Sequence, residues 1–187
     1  FPLVFSINSA YKRREDALRA FASLKAHGVA LVLAHRDWSE ETAVHGARGS
    51  VLLHRLLTAV AQHFAQNGHD KQETRRQIYA IFSDFSRSHE LLRQTGVPAN
   101  EISRANQYLR QLMIDFEQMN NIAAYRTPLT LRAYSRFFLN FFPLLFGPYF
   151  AQIAYPDHPL AGYVLALVYS IVLVSLDNIQ DDLENPF

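Results

Sequence analysis

Leu160-Ala161-Gly162-Tyr163-Val164-Leu165-Ala166-Leu167-Val168-Tyr169-Ser170-Ile171-Val172-Leu173-Val174-Ser175-Leu176 carries no charge, and Asp177-Asn178-Ile179-Gln180-Asp181-Asp182-Leu183-Glu184 follows at once. As an α-helix the uncharged run extends roughly 25 Å. That is near the short limit for crossing a hydrocarbon layer about 30 Å thick. The carboxylates after it cannot continue into an apolar interior, because an unpaired ionised carboxylate is costly to bury. A membrane–water boundary accounts for both halves of the pattern. A second uncharged run, Phe137 to Tyr155, precedes the first and as a helix reaches roughly 28 Å. Pro143 and Pro148 each free a carbonyl four residues back, which neighbouring helices in a membrane tolerate. The competing reading is a buried hairpin in a soluble helical protein.

Charge placement favours the membrane. Arg126, Arg132 and Arg136 precede the first run, and Asp157 and His158 sit in the link between the two. Lys12, Arg13 and Arg14 follow the apolar opening of the chain. Basic residues gather on the cytoplasmic side of membrane segments, and one orientation places both basic clusters there and the Asp157–His158 link on the opposite side. The chain then enters the cytoplasm near Lys12, builds helices, crosses outward from about Phe137 and returns near Leu176.

Apolar residues at helical spacing organise the rest. A first helix runs from about Leu3 to Trp38 and is broken by the cluster around Gly46 and Gly49. A second, about Ser50 to Gln66, places Leu53, Leu56, Leu57, Val60 and Phe64 on one stripe, and Gly68 ends it. Asp70 with Glu73 makes a capping box for a third, with Ile78, Ile81, Phe82, Phe85 and Leu92 as its stripe and Gly96 and Pro98 as its stop. A fourth, Asn100 to about Ala123, carries Ile102, Ala105, Leu109, Leu112, Met113 and Phe116. Thr127 and Pro128 read as the cap and first residue of the fifth. No stretch alternates with period two. The expected fold is all-α: a membrane helical bundle with cytoplasmic helices in a single domain, residues 1–187. Within it, 1–38 form the first helix, 50–123 the cytoplasmic helices, 128–176 two membrane helices and 177–187 an acidic end.

The chain has 187 residues, 49% apolar and 19% charged, which excludes intrinsic disorder. A net charge of +1 provides no general attraction to nucleic acid. Cysteine is absent, so disulfides and cysteine-ligated metals are excluded. The opening Phe1-Pro2-Leu3-Val4-Phe5 lacks an initiator Met and a basic leader. It reads as a cut inside an apolar helix, with Phe187 as a second cut.

Three segments together resemble the bestrophin family. Phe5-x-x-Asn8-Ser9-Ala10-Tyr11-x-Arg13, then Asp16 and Arg19, is similar to that family's second membrane helix. Arg126-Thr127-Pro128-Leu129 with Tyr134 resembles the segment opening its third. Asp177-x-Ile179 and Leu183-Glu184-Asn185-Pro186-Phe187 resemble the signature closing its fourth. Ser6 stands where an arginine is common, and Arg14 and Glu15 replace a tryptophan pair, which marks a divergent branch. The family's first membrane helix would precede Phe1. The resemblance implies a homopentameric channel for chloride or other monovalent anions in a lipid bilayer, not an enzyme and without a cofactor. Phe5 matches the last apolar ring of the pore neck and Phe1 the middle one. Calcium is not assigned, because the family's acidic clasp would follow Phe187.

Phe1, Phe5, Asn8 and Lys12 recur at spacings of four, three and four, so they share one helical face. Copied around an axis, that face makes two apolar rings followed by a polar and a cationic one. Phenyl edges carry partial positive charge, and hydrophobic constrictions gate by dewetting. Weakly hydrated anions then pass more easily than small ones. The plainer reading of Phe1 and Phe5 is packing against a neighbouring helix.

Two further readings stay open. The apolar hairpin can anchor the cytoplasmic helices for partner binding without conduction. Alternatively, Asp177, Asp181 and Asp182 can hold magnesium against a diphosphate, although no second acidic cluster accompanies them. The eight histidines include no HExxH pair. His35, His45, His54 and His63 fall on mixed faces and read as surface or core-edge residues. Ser50, Ser83 and Ser170 lack a nucleophile elbow, and neither GxGxxG nor a phosphate-binding loop occurs.

Overall fold

The computed structural model describes the backbone of residues 2–66, 70–124, 129–154 and 159–184. Side chains are described for the same residues except 2, 3, 6, 129–132, 135, 154, 159, 180, 181 and 184. Among the described residues the protein is all-helical: α1 (Pro2–Asp37), α2 (Thr42–Ala65), α3 (Asp70–Gln94), α4 (Ala99–Ala124), α5 (Leu129–Ala154) and α6 (Pro159–Glu184). Phe1, Gly68, Arg126, Thr127, Pro128, Asp157, His158, Asn185, Pro186 and Phe187 lie outside the described residues.

The chain divides into two compact units, Ala17–Ala124 and a second made of Phe1–Asp16 with Tyr125–Pro186. The first unit contains the carboxy-terminal half of α1 with α2, α3 and α4. Leu24 and Leu31 of α1 join Leu52, Leu56 and Val60 of α2, Ile78, Phe82 and Phe85 of α3, and Leu112, Phe116 and Met119 of α4 in one core. Phe116 is its aromatic hub, edge-on to Phe82 with ring centres 6.1 Å apart. Fully burying one such side chain contributes about 1.5–3 kcal/mol. A smaller cluster of Leu92, Val97 and Ile102 closes the turn between α3 and α4, and Trp38 packs against both clusters.

That turn is built as the sequence predicts. Gly96 adopts φ +91° and ends α3 in a left-handed cap. Its N–H donates to Arg93 O (3.1 Å) and the Val97 N–H to Leu92 O (3.3 Å). Buried Val97 packing with Leu92 completes a Schellman motif.

Helix α2 departs from expectation. Gly46 and Gly49 do not break the chain but lie inside α2, and the break falls at residues 38–41. A Cβ on Gly49 would meet His35 Cβ at 3.1 Å, and one on Gly46 would meet Arg36 Cγ at the same distance. Close approach to α1 is what these glycines provide, and it offsets their cost of about 1 kcal/mol in helix propensity. The buried face of α2 is Leu52, Leu56, Ala59, Val60 and His63, with Leu53, Leu57 and Phe64 only partly buried. The stripe is therefore turned by about one residue, because His63 belongs to it. In α4, Met113 faces outward, while Asp115 and Met119 are buried.

In the other unit α5 packs on α6, and α5 stays helical through Pro143 and Pro148. Phe138, Phe142, Phe146 and Phe150 form a ladder along α5 with ring centres 5.1, 5.8 and 6.4 Å apart. Tyr169 of α6 sits against its end, 5.7 Å from Phe146 and 5.5 Å from Phe150.

Candidate functional site

On the opening turns of α1, Phe5, Asn8 and Lys12 are all exposed. At about 100° per residue they lie within about 60° of one another. Buried Ala10 and Ala17 lie roughly opposite. The three described residues of the expected pore face thus share a solvent-accessible stripe on this copy of the chain, and Val4 adjoins it at 66% exposure. Phe1 lies outside the described residues.

The hairpin of α5 and α6 also exposes apolar side chains. On α5, Phe137 and Phe141 stack outward with ring centres 5.4 Å apart and planes 12° from parallel. On α6, Leu160, Tyr163, Leu167, Ile171 and Val174 are all more than half exposed. Two described stretches are long and apolar enough to cross a membrane by length and composition, Ile7–Asp37 and Leu160–Ile179. They differ in burial. In the most apolar 18 residues of the first, 33% are buried, against 6% for the second. Buried Leu24, Leu31 and Ala34 show that much of the first stretch is a core helix of the four-helix unit. Helix α5 is not among these stretches, and the run expected there ends at Tyr155, outside the described residues.

Asp177 lies half-buried on α6, which continues as helix through Glu184. The polarity change therefore falls within one helix and not at its end. The Glu184 side chain and Asn185, Pro186 and Phe187 lie outside the described part, as does the Asp181 side chain of the magnesium reading. Among the described residues no group of three or more His, Asp or Glu side chains is placed to hold a metal ion.

The four-helix unit holds three buried polar clusters that pattern reading missed. His35, His45 and His63 are buried, not at the surface or core edge, and only His54 of the four is exposed. His35 Nδ1–H donates to Leu31 O (2.7 Å), and its Nε2 lies 2.7 Å from Ser88 Oγ. The same hydroxyl reaches Phe85 O at 2.7 Å. One hydroxyl proton therefore serves two acceptors while the ring is neutral. Burial holds His35 at a pKa of about 4, against the pull of the Leu31 carbonyl and with help from His89, His45 and Arg48. His89, its ring centre 5.4 Å away, donates through Nδ1 to Asn106 Oδ1 (2.7 Å). Burial lowers its pKa as well, against that hydrogen bond.

In the second cluster, Ser23 Oγ donates to Asp115 Oδ2 (2.8 Å) and Gln111 Nε2 to Asp115 Oδ1 (3.0 Å). His27 Nδ1 approaches the same carboxylate at 3.3 Å. Asp115 falls three residues after Leu112 on the buried register of α4, and that register was the available signal. In the third, His63 Nε2–H points to Asn120 Oδ1 (3.3 Å), and its Nδ1 lies 3.0 Å from Thr74 Oγ1. Burial lowers the His63 pKa, Asn120 opposes this, and Lys71 and Arg75 add to it.

No protein-family model, no characterised protein and no solved structure matches the chain.

Proposed function

We propose that the chain is a subunit of a bestrophin-like, homo-oligomeric membrane channel for chloride or other monovalent anions, and not an enzyme. The observation that carries the reading is the outward-facing apolar surface of α6, 6% buried over its most apolar window while a well-packed core exists elsewhere in the same chain. A helix apolar all round belongs in a core or a membrane, and exposed apolar patches of this extent mark interaction surfaces. Residues Arg13, Arg14 and Arg136 flank the apolar segments as a cytoplasmic side requires. The accessible stripe of Phe5, Asn8 and Lys12, opposite buried alanines, is available for a pore formed by several copies. Phe1 and Phe5 form the neck in this reading, and Asn8 and Lys12 line the pore beyond it. Asp177, Glu184, Asn185, Pro186 and Phe187 make the closing signature.

The self-contained core of the four-helix unit favours a second reading, a membrane-anchored interaction protein that does not conduct. Recording from the purified native protein in planar bilayers separates the two. The channel reading expects anion-selective currents, and Phe5→Ala is expected to change the permeability ratio of large to small anions or the gating. Currents unchanged in Phe5→Ala remove Phe5 from the pore. Silent bilayers, or a protein that stays in the aqueous phase without detergent, refute the channel.

A further inference from the structure

A groove of about 850 Å³ opens at the end of the four-helix unit where α2 and α4 finish and α3 begins. His63 of α2, Asn120 of α4, and Lys71, Arg75, Arg76 and Tyr79 of α3 line it. Three of these side chains are cations and none is a carboxylate. Lys71 Nζ lies 6.0 Å from the centre of the Phe64 ring and has no carboxylate partner among the described residues. The Arg75 guanidinium is held in place by Glu117: its Nη2 donates to Glu117 Oε1 (3.0 Å) and Oε2 (3.2 Å). The Tyr79 hydroxyl donates to Glu117 Oε1 (2.5 Å) and fixes that carboxylate in turn. The Tyr79 hydroxyl engages the same guanidinium, and with Glu117 it raises the Arg75 pKa. Among the described residues Arg76 meets Glu73, at 3.7 Å between two well-exposed side chains, and such a pair contributes little.

Lys71, Arg75 and Arg76 stand on the first two turns of α3, where the helix dipole also favours negative charge. An ammonium and two guanidinium forks match a tetrahedral dianion better than a chloride, because the forks give paired hydrogen bonds to its oxygens. The volume lies within the range of small-ligand sites, so there is room for the group attached to the phosphate.

We propose that this groove binds a phosphate monoester, with Lys71, Arg75 and Arg76 as its charge partners and Tyr79 and Asn120 as flanking polar contacts. Two sources carry that chemistry: a soluble phosphorylated metabolite, and a phosphomonoester lipid headgroup. The lipid source enters because α6 exposes an apolar surface suited to a bilayer, whose headgroups carry the same chemistry. The site does not depend on conduction, so its failure and that of the channel reading are distinguishable. A bound dianion favours the imidazolium of neighbouring His63, which gives a readout at an identified atom.

The detergent-solubilised full chain is titrated calorimetrically with inorganic phosphate, dihexanoyl phosphatidic acid and dihexanoyl phosphatidylcholine. In parallel the His63 ring is followed by NMR across pH. Saturable binding of phosphate or phosphatidic acid, with a rise in the His63 pKa, is expected. In Lys71→Gln/Arg76→Gln the affinity is expected to fall at least about tenfold, which is the loss of one charge-assisted contact. Trp38 fluorescence during unfolding is expected to be unchanged in that variant, because neither side chain belongs to the core. Binding of both anions assigns the soluble source as well as the headgroup, and binding of phosphatidic acid alone assigns the lipid. The proposal is overturned by no binding of either, by equal binding of phosphatidylcholine, or by a double variant that binds as tightly as the parent.

Discussion

Helices α4 and α6 both have 26 residues, yet they dispose of their apolar side chains in opposite ways. On α4 the apolar residues gather on one face, and Ala105, Leu112 and Phe116 lose all contact with solvent. On α6 they surround the helix, and most remain exposed after α5 has packed against it. Glycines differ in the same way. Gly49 sits where a Cβ would press on α1, whereas nothing lies within 4 Å of a Cβ on Gly147 of α5. One unit has completed its core within a single chain, and the other has not. The difference is what a protein that meets both water and an apolar partner requires.

Phe85→Ala attacks the completed side of that contrast. Phe85 is fully buried among α1, α2 and α4, and its truncation is expected to cost about 3–5 kcal/mol. Trp38 is the only tryptophan and packs on the same core, so its fluorescence during urea unfolding of the full chain reads the loss directly. An unchanged midpoint denies that the four-helix core is formed.

Leu167→Arg probes the unfinished side. Leu167 is 62% exposed, and in water its replacement by arginine is expected to change stability by less than about 0.5 kcal/mol. In a bilayer the same change is expected to cost about 2.5–3.5 kcal/mol of insertion. A clear fall in the carbonate-resistant membrane fraction supports hydrocarbon contact. An undiminished fraction places α6 elsewhere and removes the main support for a membrane protein.

Acid provides the third comparison, through the buried histidines of the four-helix unit. Above pH 6.5 His35 is neutral both folded and unfolded, and it leaves stability independent of pH. As pH falls from 6.5 to about 4 the unfolded chain takes up a proton that the folded protein refuses, so stability decreases. The loss from His35 is expected to reach up to about 3 kcal/mol, and His63 and His89 act in the same direction. His35→Gln is expected to flatten the slope of the Trp38-monitored midpoint over that window, by comparison with the parent at each pH. Equal slopes in both proteins dismiss His35 as the titrating group.

The helical class, the stripe of α3, that of α4 apart from Met113, and the stop at Gly96 were legible, because each rests on local chemistry. An apolar side chain every three or four residues forms a face whatever its partner, and a glycine before Val97 and Pro98 ends a helix by backbone sterics. The break after α1 was misread because a glycine signals either a loop or a close approach. Gly46 and Gly49 serve the second role, which depends on α1 lying against them. The histidines were misjudged for a related reason. A polar residue on an apolar face is buried when a partner waits there, and Ser88 and Asn120 come from positions 53 and 57 residues away. The Phe138 to Phe150 ladder was visible as a four-residue spacing, but its meaning as the α5–α6 seam needed Tyr169. The stripe of Phe5, Asn8 and Lys12 followed from spacing alone, and the structure adds that buried Ala10 lies on the other side.

By itself the sequence determined that the chain is helical, where α3 stops, and that an uncharged run abuts a carboxylate-rich segment. Helix periodicity, capping and charge desolvation act over a few residues and need no partner. Tertiary structure alone decided which apolar faces are satisfied within the chain, which histidines are sealed from water, and which cations converge on one groove. Those outcomes depend on side chains tens of residues apart meeting at a few ångströms, and local pattern does not encode such distances.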